Sequence, residues 1–326
     1  SPEESGMRVD RKMIRLSQGR TRAAPLRRTM RNNLEGYLLI SPWLVGLFLF
    51  TIGPVIASLG MSLADWDIIG KASFVGLDNY HRILTSDRLF RQAVYNTVNN
   101  TLLSVPLRLL LALCLASLIN RAVWGAQFWT TGFYLASMFS VVAMGVLWRW
   151  ILASNVGVFN HLLSLVGIVG PEWRGDPAWT KPGLVLVSLM YVGPQIVIFL
   201  AGLKGIPEQL YEAAELDGAG QATRFFNVTL PMLSPVLFFN MVTAVIHAFQ
   251  VFAIVFVMFS GGSIGSHGPM NSTLVYIQYL YEKAFRQLSM GYAAALAWLL
   301  FVVVLLITLL QLRFSSWVYY ERGAQR

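Results

Sequence analysis

The chain has 326 residues, of which 56% are hydrophobic and only 13% are charged. Soluble domains carry charge on about a quarter of their residues, so the composition excludes an ordinary soluble domain and indicates a membrane protein. The formal net charge of +9 would favour a nucleic-acid partner in a soluble protein, but basic residues crowd the N-terminal segment. We therefore expect a topology signal there and no nucleic-acid partner.

The N-terminal segment is polar and basic from Arg8 to Arg31 and has no adequate apolar face. A secretory signal would place a short apolar region directly after the charges, whereas the apolar stretch that follows here is long enough to span a membrane. We expect residues 1–35 to form a basic cytoplasmic tail, largely disordered or lying on the membrane surface, and residues 36–326 to form the membrane domain. Both termini are then cytoplasmic.

Six apolar runs follow, each close to the roughly 20 residues that cross a hydrocarbon core. They predict an all-α membrane protein with six transmembrane helices. The tail on the inside places the loop between the fourth and fifth spans, residues 204–235, in the cytoplasm. The predicted spans are Tyr37–Ala64, Val94–Asn120, Phe128–Leu152, Gly183–Leu203, Pro235–Phe259 and Gly291–Leu312.

The loop 204–235 contains the longest polar interruption of the apolar C-terminal half. Pro207 suits the start of a helix and Gly218 suits a left-handed stop, so the sequence predicts a short helix over Pro207–Asp217. Its acidic side chains, with the small pair Ala213 and Ala214, favour a docking surface for a protein partner. The alternative is an amphipathic helix lying on the membrane surface.

Three strings carry a family resemblance. Glu212-Ala213-Ala214, then Gly218 and the VTLP string at 228–231, resemble the EAA signature of permease subunits of bacterial binding-protein-dependent ABC importers, with Val228 where that family usually has Ile. The FVGLDNY string at 74–80 resembles the first external loop of carbohydrate-type permeases, such as those for maltose and glycerol phosphate. The segment 261–273 resembles their Gly-Gly-Pro loop, with an insertion.

The resemblance implies a permease subunit of an ABC importer in the bacterial cell (inner) membrane, moving a sugar or related solute inward by alternating access. It implies as partners a second homologous permease, two ATPase subunits, an extracytoplasmic solute-binding protein and membrane lipid. In that family the short helix is the coupling helix, which sits in a cleft of the ATPase. The residues expected to couple to the ATPase are Glu212, Ala213, Ala214, Asp217 and Gly218.

Motifs for catalysis are missing from the sequence. It has no G-x-x-x-x-G-K-[ST] loop to cradle phosphates and no H-E-x-x-H pattern, and its histidines are scattered. We expect no catalytic residue, no metal site and no cofactor in this chain, with ATP and magnesium bound by the partner ATPases. The competing interpretations are a secondary transporter or channel subunit and a membrane-embedded enzyme.

Polar residues within spans are costly in lipid and usually face a bundle interior or an aqueous path. In the fourth span they recur at helical spacing beside Gly193-Pro194, a predicted kink. In the fifth span they recur in the same way before Ala253, a position at which many members of the family that the chain resembles carry Asp. The alternative role is hydrogen bonding between helices. Arg108 lies in the second span, and two roles are open for it: attraction of an anionic solute, or extension of the side chain toward the cytoplasm. The residues expected to line the solute path are Tyr191, Gln195, Asn240, Thr243, His247 and Gln250.

Overall fold

A computed structural model of the protein describes residues 26–68, 70–121, 125–260 and 267–318, with side chains from Gly36 onward except that of residue 260. The predicted Gly-Gly-Pro loop lies partly outside the described residues, and so does most of the predicted tail. The chain divides into two compact units, residues 1–57 and 58–326.

The first helix already begins within the segment predicted as a tail. Helix α1, Leu26–Leu47, continues through a π-helical turn, Phe48–Ile52, into α2, Gly53–Ser62. A two-stranded antiparallel pair follows, β1 (Ala64–Asp65) and β2 (Ser73–Phe74). The next helices are α3 (Asp78–Thr85), α4 (Arg88–Asn120), α5 (Ala126–Ser137), α6 (Val141–Ile151) and α7 (Val158–Leu165).

The second half of the chain is also helical. Helix α8 (Pro177–Ser188) runs through a 3₁₀ turn, Leu189–Val192, into α9 (Gly193–Lys204). The polar loop holds α10 (Glu208–Leu216), α11 (Gln221–Arg224), a π-helical turn (Phe225–Thr229) and α12 (Leu230–Met232). The chain continues with α13 (Ser234–Phe249), α14 (Ala253–Ser260), a 3₁₀ turn (Pro269–Asn271), α15 (Tyr276–Tyr281), a π-helical turn (Glu282–Arg286), α16 (Met290–Arg313) and a 3₁₀ turn (Ser315–Trp317).

The described residues form four helices long and apolar enough to cross a membrane, and up to six spans if each of two bent pairs counts as one. The prediction of an all-α protein with six spans is thus confirmed, but two spans are not straight. The third bends by 97° between Met138 and Val141, and the fifth bends by 65° between Met232 and Ser234. Ser140 takes extended backbone angles at the first bend, in a run that contains no proline.

The core of the second unit forms where α4, α9 and α13 meet. Its buried residues include Val105 and Leu109 from α4, Ile196 and Phe199 from α9, and Ala244 from α13. Between membrane helices such side chains stabilise the bundle by van der Waals packing, because lipid is as apolar as the core and supplies no hydrophobic driving force. A second buried cluster joins α6, α8 and α14, and a third joins α3, α4, α15 and α16.

Helix α4 and the broken span α8–α9 contact each other in the same order along the chain, since Lys181 lies over the ring of Tyr95 and Arg108 reaches Tyr191. They therefore run parallel, which gives the bundle two distinguishable ends. At the Arg88 end, where α4 begins, the Nδ2 of Asn96 donates to the carbonyls of Asn271 and Leu274 at 2.9 and 3.0 Å. At the Asn120 end, where α4 finishes, Leu203 and Leu233 pack in one cluster with the last turns of α4. The polar loop that carries α10 therefore leaves the bundle at the Asn120 end.

Candidate functional site: an exposed acidic helix and the polar residues of the spans

The polar loop folds into the predicted helix, with each bound shifted by one residue. Helix α10 begins at Glu208 because Pro207 keeps extended angles (φ −60°, ψ 132°) and acts as the residue before the helix. Gly218 ends it with φ +77°, a left-handed conformation that side chains other than glycine rarely adopt. The N–H of Ala219 donates to the carbonyl of Ala214 at 2.9 Å, closing the last turn.

Helix α10 presents nearly its whole surface to the outside of this chain. Glu212, Ala213, Asp217 and Gly218 are exposed, and only Ala214 among the predicted coupling residues is half-buried. Leu216 is 90% exposed, so an apolar side chain stands among the acidic ones. The acidic and apolar side chains of α10 are therefore both accessible to a partner protein. The five predicted coupling residues therefore lie together on one accessible element.

Two contacts in this loop were missed by sequence reasoning. The hydroxyls of Tyr211 and Thr229 lie 3.0 Å apart, and the Nη1 of Arg224 lies 3.0 Å from the Oε2 of Glu215. No spacing rule marks the first pair, because its members are 18 residues apart on different elements. These contacts hold α10 against the start of the fifth span.

Tyr191 and Gln195 meet Arg108 at the break in the fourth span. The predicted kink is present, but Tyr191 (φ −92°, ψ 27°) is the non-helical residue, and Gly193-Pro194 starts the next helix. Arg108 donates from Nη2 to the carbonyl of Tyr191 at 3.2 Å. In the amide orientation that satisfies both of its groups, Gln195 accepts from Arg108 at 3.0 Å and donates to the carbonyl of Tyr191 at 3.0 Å.

This cluster accounts for a cation inside a span. The guanidinium of Arg108 reaches across to the broken turn of the neighbouring span instead of extending toward the end of its own helix. At the break, backbone carbonyl groups lose the hydrogen bonds that they would accept in an intact helix, and the arginine donates to one of these carbonyls. Gly193 lets α9 pack close to α5 here, because a Cβ at that position would lie 2.4 Å from the carbonyl oxygen of Phe133.

The four polar residues predicted on the fifth span lie on α13 and its end, but they do not share one environment. Asn240 is 1% exposed, whereas His247 and Gln250 are exposed and Thr243 is intermediate. The Nδ2 of Asn240 donates to the carbonyl of Val236 at 3.1 Å, which belongs to the same helix. These polar residues therefore begin inside the bundle with Asn240 and reach the surface of the chain with His247 and Gln250, near the Arg88 end.

The structure also bears on the alternative role of these residues in joining helices. Gln195 does join two helices, through Arg108. Thr243 donates to the carbonyl of Phe239 within its own helix at 2.9 Å, as Asn240 does to Val236. Among the residues that the structure describes, no hydrogen bond connects Tyr191 or Gln195 with the polar residues of α13. The two predicted groups thus lie on helices that share a core, without a described hydrogen bond between the groups.

A polar cavity of about 480 Å³ at the Arg88 end was not predicted. Asp87 lies in its wall and accepts hydrogen bonds from the hydroxyls of Tyr279 and Tyr292. Burial raises the pKa of Asp87, but these hydroxyls, the N–H of Phe90 and the charge of Lys283 together bring it below its ordinary value. Asp87 and Tyr279 are 192 residues apart, so no local sequence signal indicates the cluster.

His267 and Glu282 form a second buried contact at this end. The Nε2 of His267 lies 2.7 Å from the Oε2 of Glu282, and Arg286 binds the other carboxylate oxygen. In the part of the chain that the structure describes, no group of three or more His, Cys, Asp or Glu residues has the arrangement of a metal site. Both carboxylate oxygens of the buried Glu282 therefore find a partner, whereas the Nδ1 of His267 has none among the described residues.

Comparisons with known proteins agree with this arrangement. The family described as "Binding-protein-dependent transport system inner membrane component" matches residues 90–318. The chain is 42% identical to the "Probable ABC transporter permease protein YesP" of Bacillus subtilis, over 89% of this chain and 94% of that protein. It is 34% identical to the arabinooligosaccharides transport system permease protein AraP of Halalkalibacterium halodurans, over 85% of this chain and 86% of that protein.

A solved structure shares the fold. A chain of a bacterial ABC transporter involved in the import of the acidic polysaccharide alginate superposes with a TM-score of 0.78 at 22% identity, over 90% of this chain and 99% of that chain. Up to six membrane spans, with an exposed acidic helix between the fourth and fifth, define the permease subunit of an ABC importer. The chain belongs to the family of inner membrane components of binding-protein-dependent transport systems. It is a multi-pass membrane protein of that transport class.

Proposed function

We propose that this chain, paired with a second homologous permease, moves a sugar or related solute into the cell by alternating access driven by two separate ATPase subunits. The observation that carries the proposal is the exposed acidic helix α10 with its uncovered Leu216. A helix of this kind, held at the end of a bundle by the polar contacts of Tyr211 and Arg224, suits insertion into a cleft of a partner protein. Glu212, Ala213, Ala214, Asp217 and Gly218 are its proposed contact residues.

The energy for transport comes from the partners in this proposal. The sequence has no phosphate-binding loop, so ATP and magnesium are bound by the ATPase subunits and this chain holds no cofactor. It is then a transport component without an enzymatic activity of its own. Movement of α10 in the ATPase cleft reaches the spans through the connections of the loop to α9 and α13.

The proposed orientation places α10 and both termini in the cytoplasm. The dense basic segment between Arg8 and Arg31 is the basis, since positive charge is retained on the cytoplasmic side of a membrane. The Arg88 end of the bundle then faces outward, where a solute-binding protein delivers the ligand. The dependence of the family on a binding protein supports that partner.

The solute class is proposed from the relatives and from the polar side chains of the spans. AraP is described as transporting arabinooligosaccharides. A sugar requires several hydrogen-bond partners and an apolar face against its ring. His247 and Gln250 are exposed on this chain and supply polar groups toward a second permease, and the ring of Tyr191 is a candidate for stacking.

The coupling assignment is tested with Glu212→Lys and Gly218→Pro in the purified assembly of permeases, ATPases and binding protein. The first reverses a docking charge, and the second replaces the residue that ends α10 at φ +77°. Both are expected to leave membrane insertion intact and to abolish uptake. Gln221→Lys adds positive charge to the same loop at an exposed position and is the matched control. Full solute-stimulated ATP hydrolysis and uptake in both variants would refute the assignment.

The solute path is tested with His247→Ala and Gln250→Ala. Both side chains are exposed, so their removal should change the free energy of unfolding by less than about 0.5 kcal/mol while reducing uptake. Cys114→Ala removes a similarly exposed side chain from α4 and serves as the control. Normal uptake at low solute concentration in both variants would place the path elsewhere.

A further inference from the structure

Helix α10 is attached to the rest of the chain by very few side chains. It has no buried residue, and only Tyr211 and Ala214 are half-buried. These two are three residues apart and so lie on one face of the helix, the face turned toward the bundle. Ala214 has no polar group to contribute. The inward face of α10 therefore offers one side chain, that of Tyr211, for a directional contact.

The partner of Tyr211 belongs to the beginning of the fifth span. Thr229 is 6% exposed and ends the π-helical turn Phe225–Thr229. Its carbonyl accepts from the N–H of Leu233 at 2.9 Å, and its neighbour Leu230 packs against the core shared by α4, α9 and α13. The position of Thr229 is thus fixed by the bundle. Its hydroxyl lies 3.0 Å from that of Tyr211.

The other polar contact of the loop lies at the surface. Arg224 and Glu215 form an ion pair at 3.0 Å, with 70% of the glutamate side chain exposed. Exposed ion pairs contribute little, because water and salt screen the charges. The pair links α10 to α11 at the start of the fifth span, but it is exposed, whereas Thr229 in the other contact is buried.

We propose that Tyr211 and Thr229 form the joint that fixes α10 to the fifth span and that makes displacement of α10 move α13. Tyr211 is a positioning residue in this role, since the exposed face of α10, and not Tyr211, meets the ATPase. The inference rests on the proposed coupling function and names the contact through which coupling passes. Because α13 carries His247 and leads into Gln250, motion passed through this joint reaches the proposed solute path.

The joint is tested by removing each hydroxyl with little change of shape, using Tyr211→Phe, Thr229→Val and the double variant. Solute uptake per ATP hydrolysed is measured in the reconstituted assembly. Each single variant should lower this ratio about two- to tenfold, the range that the loss of one hydrogen bond implies. The double variant should be no worse than the worse single variant, because both changes remove the same contact.

Controls separate the joint from general damage. Thr229→Ser keeps a hydroxyl and should keep the wild-type ratio of uptake to ATP hydrolysis. Glu215→Gln breaks the exposed ion pair and should change the ratio less than Tyr211→Phe does. Tyr134→Phe removes a tyrosine hydroxyl from α5, away from the loop, and should have no effect. A wild-type ratio in both Tyr211→Phe and Thr229→Val, or losses that add in the double variant, would overturn the proposal.

A second measurement does not depend on transport. A protease specific for glutamate cleaves at Glu208, Glu212 and Glu215, all on α10, and its rate on the purified full-length chain reports how often α10 leaves the bundle. Tyr211→Phe should raise that rate about two- to tenfold, and Thr229→Ser should not. An unchanged rate in Tyr211→Phe contradicts the joint. If the wild-type assembly shows no solute-stimulated ATP hydrolysis while this rate rises, the joint exists and the proposed function fails.

Discussion

Arg108 and Gln195 form a pair within the membrane-spanning bundle. An unpaired arginine at mid-span costs at least about 2.5 kcal/mol on insertion scales, and its hydrogen bonds to Tyr191 and Gln195 offset part of that cost. Gln195 accordingly has a structural role in addition to the predicted place on the solute path. The two roles are separable, since stability and uptake are measured independently.

We predict that Gln195→Leu lowers the free energy of unfolding of the purified chain by about 1–3 kcal/mol, because it deprives a half-buried guanidinium of an acceptor. Arg108→Met combined with Gln195→Leu should be more stable than Gln195→Leu alone, since the unpaired charge is gone. Thermal unfolding in lipid nanodiscs measures both. Equal stability of the single and double variants would show that Arg108 does not depend on Gln195.

Asp87 provides a prediction about pH. Its pKa in the folded chain lies below the ordinary value of 3.8, so its ionised form stabilises the fold above that value, and the contribution is lost as the pH falls through the lower, folded pKa. The unfolding temperature of the wild type should therefore decrease on the acid side of pH 3.8 more steeply than that of Asp87→Asn. Parallel pH profiles of the two proteins would contradict this assignment.

The turn Pro269–Asn271 is an element held in an unfavourable backbone conformation. Met270 and Asn271 have φ of +53° and +57°, in the left-handed region, and Asn96 holds the turn through the carbonyl of Asn271. The side chain of Met270 is 83% exposed and so contributes little burial. The contacts from α4 maintain a turn whose backbone conformation Met270 disfavours.

We predict that Met270→Gly raises the free energy of unfolding by about 0.5–1 kcal/mol, because glycine adopts a positive φ without a steric cost. Met138→Gly is the matched control: Met138 is 66% exposed and has an ordinary φ of −86°, so glycine there should be neutral or destabilising. Chemical denaturation of both variants provides the comparison. A loss of stability of the same size in both variants would contradict the explanation by backbone strain at Met270.

At the scale of the whole molecule, transport is proposed to be a property of the assembly. We predict that the purified chain hydrolyses no ATP and that uptake appears only when a second permease, two ATPases and the binding protein are present. The reason is the missing phosphate-binding loop. ATP turnover is measured on the chain alone and on the assembly, after removal of contaminating ATPases. Turnover by the chain alone would contradict the division of roles.

Features that depend on short windows of residues can be predicted from the amino-acid sequence alone. Long apolar runs specify membrane spans, because about 20 such residues are needed to cross the hydrocarbon core wherever they occur in the chain. Gly218 specifies the end of α10, because the left-handed conformation is accessible to glycine and not to its neighbours. The family signature around Glu212 is equally local, so it was recognised before any contact was known.

Contacts between side chains that are distant in the sequence depend on tertiary packing. Arg108 reaches Tyr191 across 83 residues, and Asp87 meets Tyr279 across 192, since these distances are set by how whole helices pack. The same packing buries Asn240 and leaves His247 exposed, although their spacing predicts a single face. The bend at Ser140 also depends on packing, because the residues around it include no proline that would predict a break in the helix. Spacing fixes a position around a helix axis, and neighbouring helices decide what surrounds it.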